Sequence, residues 1–354
     1  MKRIKTNYLH AGHLQRVRGI LRGMFLSLLL MMLVPAVAWA DDELGTVMLD
    51  GTSYYVLRSN DDWMEFKQLV LDAKGAKDVN ALLDADLSIA NSIALESGSP
   101  YRGIFNGNGH TLNVNIKGGD SYYIAPFSLV KNATIKNLHV TGTVNGGIHA
   151  SGLIGLCSGS PEVYVERVWV SASITCTSDH VGGFIGHTED TKLFLTDCRF
   201  DGTLTANGAN SSYGGAFCGW GHNGSWTFHR LYEDGTYNGI RHAGFNYWLD
   251  KAGNGDIHVW GYNGKSSNCK SSHNWSEMYD ANHRNVTDQE QVVQWMNEEK
   301  RGTWHIVDGK AVPVFEEYPS EDDVSVEAYD AVPGTEEGDE GSVRIPVTST
   351  SPIL

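Results

Sequence analysis

Between residues 134 and 237, apolar and polar positions recur in register rather than with a helical period. The segment Thr134–Val144 aligns with Tyr164–Ile174, Phe194–Leu204 and Thr227–Tyr237, at steps of 30, 30 and 33 residues. Three columns stay apolar or aromatic in every copy: Ile135/Val165/Leu195/Phe228, Leu138/Val168/Cys198/Leu231 and Val144/Ile174/Leu204/Tyr237. A fourth, Val140/Val170/Phe200, ends in Glu233. A second element recurs between these runs as Gly152-Leu-Ile-Gly155 and Gly183-Phe-Ile-Gly186, then as Gly215-Ala-Phe-Cys-Gly219, which reads as the same motif with one residue inserted. A unit of about 30 residues can be helical or β. Val, Ile, Phe, Thr and Tyr dominate here, glycine is abundant and no 3.6-residue apolar period is present, so the runs are strands. Each is too short to bury its own apolar side and must stack on its neighbours. The pattern therefore predicts an all-β parallel solenoid, with coils roughly 4.8 Å apart and the aligned columns forming side-chain ladders.

Upstream, Ala81–Ile89 partly alternates, and Arg102–Leu112 joins two strand-like runs through glycine turns, which makes these the first coils. Before them Trp63, Phe66, Leu69, Val70 and Ala73, preceded by Asp61 and Asp62, predict a capped amphipathic helix of about three turns. Downstream, Thr287 with Glu290 three residues later opens a short helix carrying Val292, Val293, Trp295 and Met296. A strand pair around Gly309, Trp304–Val307 and Ala311–Phe315, follows it. Small helical caps at both ends are expected, because the open end of a solenoid exposes backbone and core. The organisation is then an N-terminal cap and first coil over 41–100, β-helix repeats over 101–250 and a C-terminal coil and cap over 251–315. From Glu316 to Glu340 there are eleven acidic residues and no basic ones, so 316–354 reads as a disordered tail or linker.

The run Phe105-Asn-Gly-Asn-Gly-His-Thr-Leu112, the Gly-apolar-apolar-Gly repeats and the opening Asp62-Trp63-x-x-Phe66 resemble bacterial cell-surface proteins with GLUG-type repeats, many from gut and oral Bacteroidetes. The ending Val292-Val-Gln-Trp-Met-Asn297, then Trp304 and Val312-Pro-Val-Phe315, is similar to the segment that often closes such proteins. The resemblance spans about residues 54–315. It implies a right-handed parallel β-helix of the pectate-lyase-like superfold, surface exposure and, by association, adhesion or host-glycan contact. It carries over no catalytic residue, since the shared positions are structural.

Charge and the N-terminus set the compartment. The chain carries 27 basic and 42 acidic side chains. Its first 40 residues hold six basic and no acidic ones, so the remainder stands at −21 within a total of −15. That argues against a nucleic-acid groove. The basic opening, the apolar run Met24–Val34 and the small-residue stretch to Ala40 make 1–40 a secretory signal peptide. The run is shorter than the roughly 20 residues that span a bilayer, and an exported, extracellular or surface-located product with no membrane span is expected. Five cysteines, Cys157, Cys176, Cys198, Cys218 and Cys269, leave at least one thiol unpaired in a monomer. They are too sparse to serve as a disulfide scaffold, and no zinc-ligand spacing appears.

Candidate chemistry is thin. Asn106-Gly-Asn-Gly109 reads as a coil-corner turn, and His110 as a corner residue. Asp197 and Asp201 fall on one side of a strand about 13 Å apart, wider than the roughly 5–9.5 Å of paired glycosidase carboxylates. Glu166, Asp197 and Glu233 are read as solvated carboxylates, and neither Lys192 nor Arg199 makes a lyase site alone. No catalytic residue, metal or cofactor is assigned. The stronger signal is aromatic: Tyr213, Trp220, Trp248, Trp260 and Tyr262 crowd one stretch. They are candidates either for an exposed face binding glycan or an extracellular protein, or for packing in the cap, while Phe228 and Tyr237 belong to the core. His222, His229, His242 and His258 are spaced too irregularly for a metal site. The function expected is adhesin-like binding of glycan or host matrix. The alternatives are a polysaccharide lyase or glycoside hydrolase of the pectate-lyase-like class, and a structural spacer.

Overall fold

The computed structural model describes residues 44–94, 98–159, 161–178, 180–207, 213–222, 225–240, 242–246, 257–262, 265–267 and 288–318. The expected signal segment 1–40, Trp248, Cys269, Thr287 and the residues from 319 lie outside the described residues.

The aligned runs are strands, and they pair in the register that the repeat gives. β7 (Phe127–Gly146), β9 (Glu162–Val170), β13 (Lys192–Phe200) and β16 (Ser225–Glu233) are parallel neighbours, with Ile135 opposite Val165, Val165 opposite Leu195 and Leu195 opposite Phe228. β1 (Thr46–Leu49) pairs antiparallel with β2 (Thr52–Leu57); β2, β3 (Ala81–Leu83) and β5 (Tyr101–Asn106) begin this sheet, and β19 (Ile257–Tyr262) continues it. A second sheet runs through β4 (Leu87–Ile89), β6 (Thr111–Lys117), the end of β7, β10 (Ser173–Cys176), β14 (Thr203–Ala206), β17 (Thr236–Asn238) and β20 (Lys265–Ser267). The third joins the start of β7 to β8 (Ile154–Ser158), β12 (Ile185–Glu189), β15 (Tyr213–His222) and β18 (His242–Asn246), with β11 (Val181–Gly182) beside β15. The result is a right-handed parallel β-helix of about six coils, with the three apolar columns wholly inside.

Three sequence readings need correction or detail. The third glycine motif has no inserted residue: Phe184 donates its amide to Ala216, and Ile185 stands opposite Cys218. Ala216 therefore occupies the place of Gly152 and Gly183, and Gly215 pairs with Gly182; the register shift falls one coil later, between β15 and β18. Secondly, the C-terminal helix starts on Asp288, whose carboxylate accepts from the Glu290 and Gln291 amides, not on Thr287. Thirdly, Asp197 and Glu233 are buried, not solvated.

At the N-terminal end, α1 (Asn60–Ala73) is closed by a capping box: Ser59 Oγ accepts from the Asp62 amide and Asp62 accepts from the Ser59 amide. Its apolar stripe places Trp63 and Phe66 edge-on against Tyr101, Phe105 and Phe127, which seals the first coils. The later segment, α2 (Gln289–Glu299) with the hairpin β21 (Trp304–Val307) and β22 (Lys310–Pro313), folds back onto the flank of β9, β13 and β16. Asp308 and Gly309, both with positive φ, make the tight hairpin turn. Glu316 continues along that flank, donating its amide to Asn137 and accepting from Arg167. No helix among the described residues is long and apolar enough to cross a membrane.

Candidate binding site

The glycine repeat builds a platform of rings on the third sheet. Each copy is preceded, three residues before its first position, by a ring: His149 before Gly152, His180 before Gly183 and Tyr213 before Ala216. Each is followed by an outward residue on the strand: Leu156, His187 and Trp220, which pair in one column. The loop residues Tyr123, His149 and His180 take left-handed backbone conformations, φ 58°, 60° and 60°, and fold back over the strands. The motif's last glycine makes this possible. A Cβ at Gly155 would stand 2.1 Å from the Tyr123 carbonyl oxygen, and one at Gly186 would stand 2.1 Å from that of His149.

The rings stack continuously up the flank. Tyr123 lies 5.4 Å from His149 at 8° between planes, His149 lies 4.7 Å from His187, and Trp220 lies 4.5 Å from His180 and 5.2 Å from His187. Tyr122, 56% exposed, extends the stack into solvent. His149 is buried, while Tyr123, His180, His187 and Trp220 are half-buried, so the platform shows edges and faces rather than a closed pocket. Burial, reinforced by the neighbouring imidazoles, drives the His149 pKa to about 2, and burial drives that of His180 to about 4. Both rings are therefore neutral at physiological pH. Among the described residues no group of three or more His, Cys, Asp or Glu is placed to hold a metal ion.

The aromatic cluster expected from sequence is split between sheets. Tyr213 and Trp220 share β15, on the platform's sheet, whereas Trp260 and Tyr262 lie on β19 beside β16. Phe228 and Tyr237 are in the core. Asn106-Gly-Asn-Gly109 is a corner, with Asn108 at φ 51° and its amide bonded to Asn106, and His110 lies beside Asp86. The four described cysteines are buried. Burial raises the thiol pKa values of Cys157, Cys198 and Cys218.

The carboxylates and guanidiniums that a catalytic reading would use are tied to each other beneath the C-terminal hairpin. Asp197 occupies a left-handed corner in line with Asn137, Arg167 and Arg230. It accepts two bonds from Arg230, 2.6 and 2.8 Å, and one from the Trp304 indole, 2.8 Å. Arg199, fully buried, bonds both Asp234 oxygens, Gln289 and the Ala311 carbonyl, while Lys310 pairs with Asp201. Burial pushes the Asp201 carboxyl up, but Arg199, Lys310 and Trp169 outweigh it and hold its pKa below the ordinary range. Lys192 pairs with Glu162 on the surface. Glu166 is half-exposed beside Arg167, and Glu233 points into the core. These three carboxylates, Glu166, Asp197 and Glu233, stand in different columns and form no shared site.

No family model matches the chain, and no curated protein matches it either. The similarity found is to the fold of a crystal structure at 1.30 Å from Bacteroides ovatus, provisionally named an immunoglobulin A1 protease. The TM-score is 0.56 at 15% identity, over 76% of this chain and 94% of that one. At that identity the likeness supports the β-solenoid, and it leaves the resemblance to GLUG-repeat proteins without a matching family.

Proposed function

We propose that the protein is an exported, surface-displayed β-helical binding protein of adhesin type that holds glycans against the ring platform of the third sheet. The observation that carries this reading is the continuous stack from Tyr122 and Tyr123 through His149 to Trp220, half-open to solvent along one flank. Neutral ring faces and edges suit the apolar C–H faces of sugars, and their polar tips suit hydroxyls. The pairing of every carboxylate in the hairpin cluster with a cation or an indole favours binding over turnover.

The test is retention of the purified chain on an array of host, plant and microbial glycans and matrix proteins, beside Trp220→Ala. Specific retention that this variant loses about tenfold or more, the scale of one lost aromatic contact of roughly 1.5 kcal/mol, supports the reading. With His149 titrating at about 2 and His180 at about 4, neither ring should change retention between pH 6 and 8. A tenfold change across that interval would have to come from a group other than His149 or His180. Depolymerisation of a retained glycan, or cleavage of immunoglobulin A1, would replace binding by an enzymatic function.

A further inference from the structure

A second surface carries polar chemistry of another kind. Where α1 passes over β4 and β6 there is a cleft of about 330 Å³, lined by Asn60, Trp63, Met64, Ser88, Asn113 and Asn115 among others. No charged side chain lines it, in a chain whose net charge is −15. Met64 is 43% exposed, and Trp63 is held in place by its indole bond to the Asn91 carbonyl. The amides are set from behind: Asn113 donates to Ser88 Oγ, and Asn115 accepts from Thr143.

The cleft opens onto the outer face of the second sheet, where strict in–out alternation leaves two columns pointing away from the core. One is Asn115, Thr143, Ser173, Thr203 and Thr236. The other is Asn145, Thr175, Thr205 and Asn238. All nine are exposed or half-exposed and uncharged, and lysines stand in register at the margins, Lys117 opposite Asn145 and Lys265 opposite Thr236. The coils repeat about every 4.8 Å and the columns are about 6.7 Å apart. The β-branched threonines hold their hydroxyls in few rotamers.

We infer that this cleft is a saccharide-binding subsite and that the adjoining hydroxyl and amide grid is the track for the rest of a linear, uncharged polysaccharide. Amides and hydroxyls both donate and accept, as sugar hydroxyls do, and Met64, 43% exposed beside the buried Trp63, supplies the apolar contact that a ring face needs. The cleft holds no cation and the chain's net charge is −15, which disfavours an anionic polymer; lysines stand only at the margins of the grid. The absence of aromatic or arginine anchors on the grid disfavours a protein partner. The rise between coils suits an extended β-linked chain, which advances by a similar length per sugar. The inference rests on the reading of the protein as a glycan binder, but uses a different surface from the ring platform.

The experiment is affinity electrophoresis of the full chain in gels containing hydroxyethyl cellulose, glucomannan or carboxymethyl cellulose, together with calorimetry against cello-oligosaccharides of two to six sugars. The uncharged polymers should retard the protein and the carboxymethyl polymer should not. Affinity should rise with oligosaccharide length. Asn113→Ala with Asn115→Ala should cost about tenfold or more for every ligand, the scale of two lost hydrogen bonds. Thr143→Val with Thr203→Val, isosteric and exposed, should remove the length dependence while sparing the disaccharide. Trp220→Ala should change neither result. No retardation of a folded chain by either neutral polymer, or equal binding by the asparagine variant, overturns the inference. So does self-association that the valine variant abolishes, which would make the grid a contact between copies. Loss with Trp220→Ala alone would leave the platform reading standing and remove this one.

Discussion

Arg199→Met should cost roughly 3–5 kcal/mol of stability, the range for breaking a buried ion pair from one side, and should free the C-terminal helix and hairpin from the solenoid. Arg199 is wholly buried, and one guanidinium serves two separate parts of the chain: Asp234 on the coil, and Gln289 and the Ala311 carbonyl in the returning segment. It also lies over the Trp169 and Tyr232 rings, at 5.9 and 5.2 Å, so its planar faces are used as well as its edge. Methionine fills the volume but leaves Asp234 facing Asp201 with only Lys310 to offset them. Arg199→Lys should rescue little, since an ammonium cannot reproduce the planar fork. Urea unfolding measures the stability loss, and limited proteolysis within 288–318 measures the release. A methionine variant with the wild-type midpoint and an uncut hairpin would show that the returning segment is held by its apolar contacts, through Val292, Met296 and Trp304, and not by this cluster.

The contrast between Arg199 and the columns around it shows what the sequence could convey. Residues 30 or 33 apart become direct neighbours in a solenoid, so Ile135, Val165, Leu195 and Phe228 record their own contacts, and the observed register repeats the alignment residue for residue. The ring platform was legible by the same logic: His149, His180 and Tyr213 precede the glycine motif by equal steps once Ala216 is recognised as its third opening. Counting Gly215 as that opening hid the column. Asp197 was misread because strand alternation assumes an unbroken strand, whereas its left-handed backbone, φ 54°, turns a corner and delivers the carboxylate to Arg230. The path of the C-terminal segment left no trace at all. It touches the coils through single long-range bonds such as Trp304 to Asp197 and Glu316 to Asn137, which have no period to detect.

Between pH 6.5 and 8 the protein should lose about 2 kcal/mol of stability relative to Glu233→Gln, and its own stability should pass through a maximum near pH 7. Glu233 replaces the apolar residue of the column Val140, Val170 and Phe200 and is buried inside the coil. Tyr237 donates its hydroxyl to one oxygen at 2.8 Å and the Gly235 amide reaches the same oxygen at 3.2 Å, while the other oxygen has no partner among the described residues. Burial, only partly offset by those two bonds, raises its pKa to about 8. An unfolded chain loses this proton near pH 4.5, so from there to about 8 the folded state binds the extra proton and stability falls as pH rises. The histidines act in the opposite sense. Burial lowers His139 and His180 to about 4 and His149 to about 2, so the folded state keeps these rings neutral while the unfolded chain protonates them below 6.5. Below about pH 7 the three imidazoles outweigh the one carboxyl and stability rises with pH; above it the carboxyl outweighs them and stability falls. Glutamine keeps the acceptor for Tyr237 and Gly235 and cannot ionise. The variant should therefore match the wild-type slope from pH 6.5 to 8 only if Glu233 is not the titrating group, and thermal midpoints of the two proteins across that interval decide the matter.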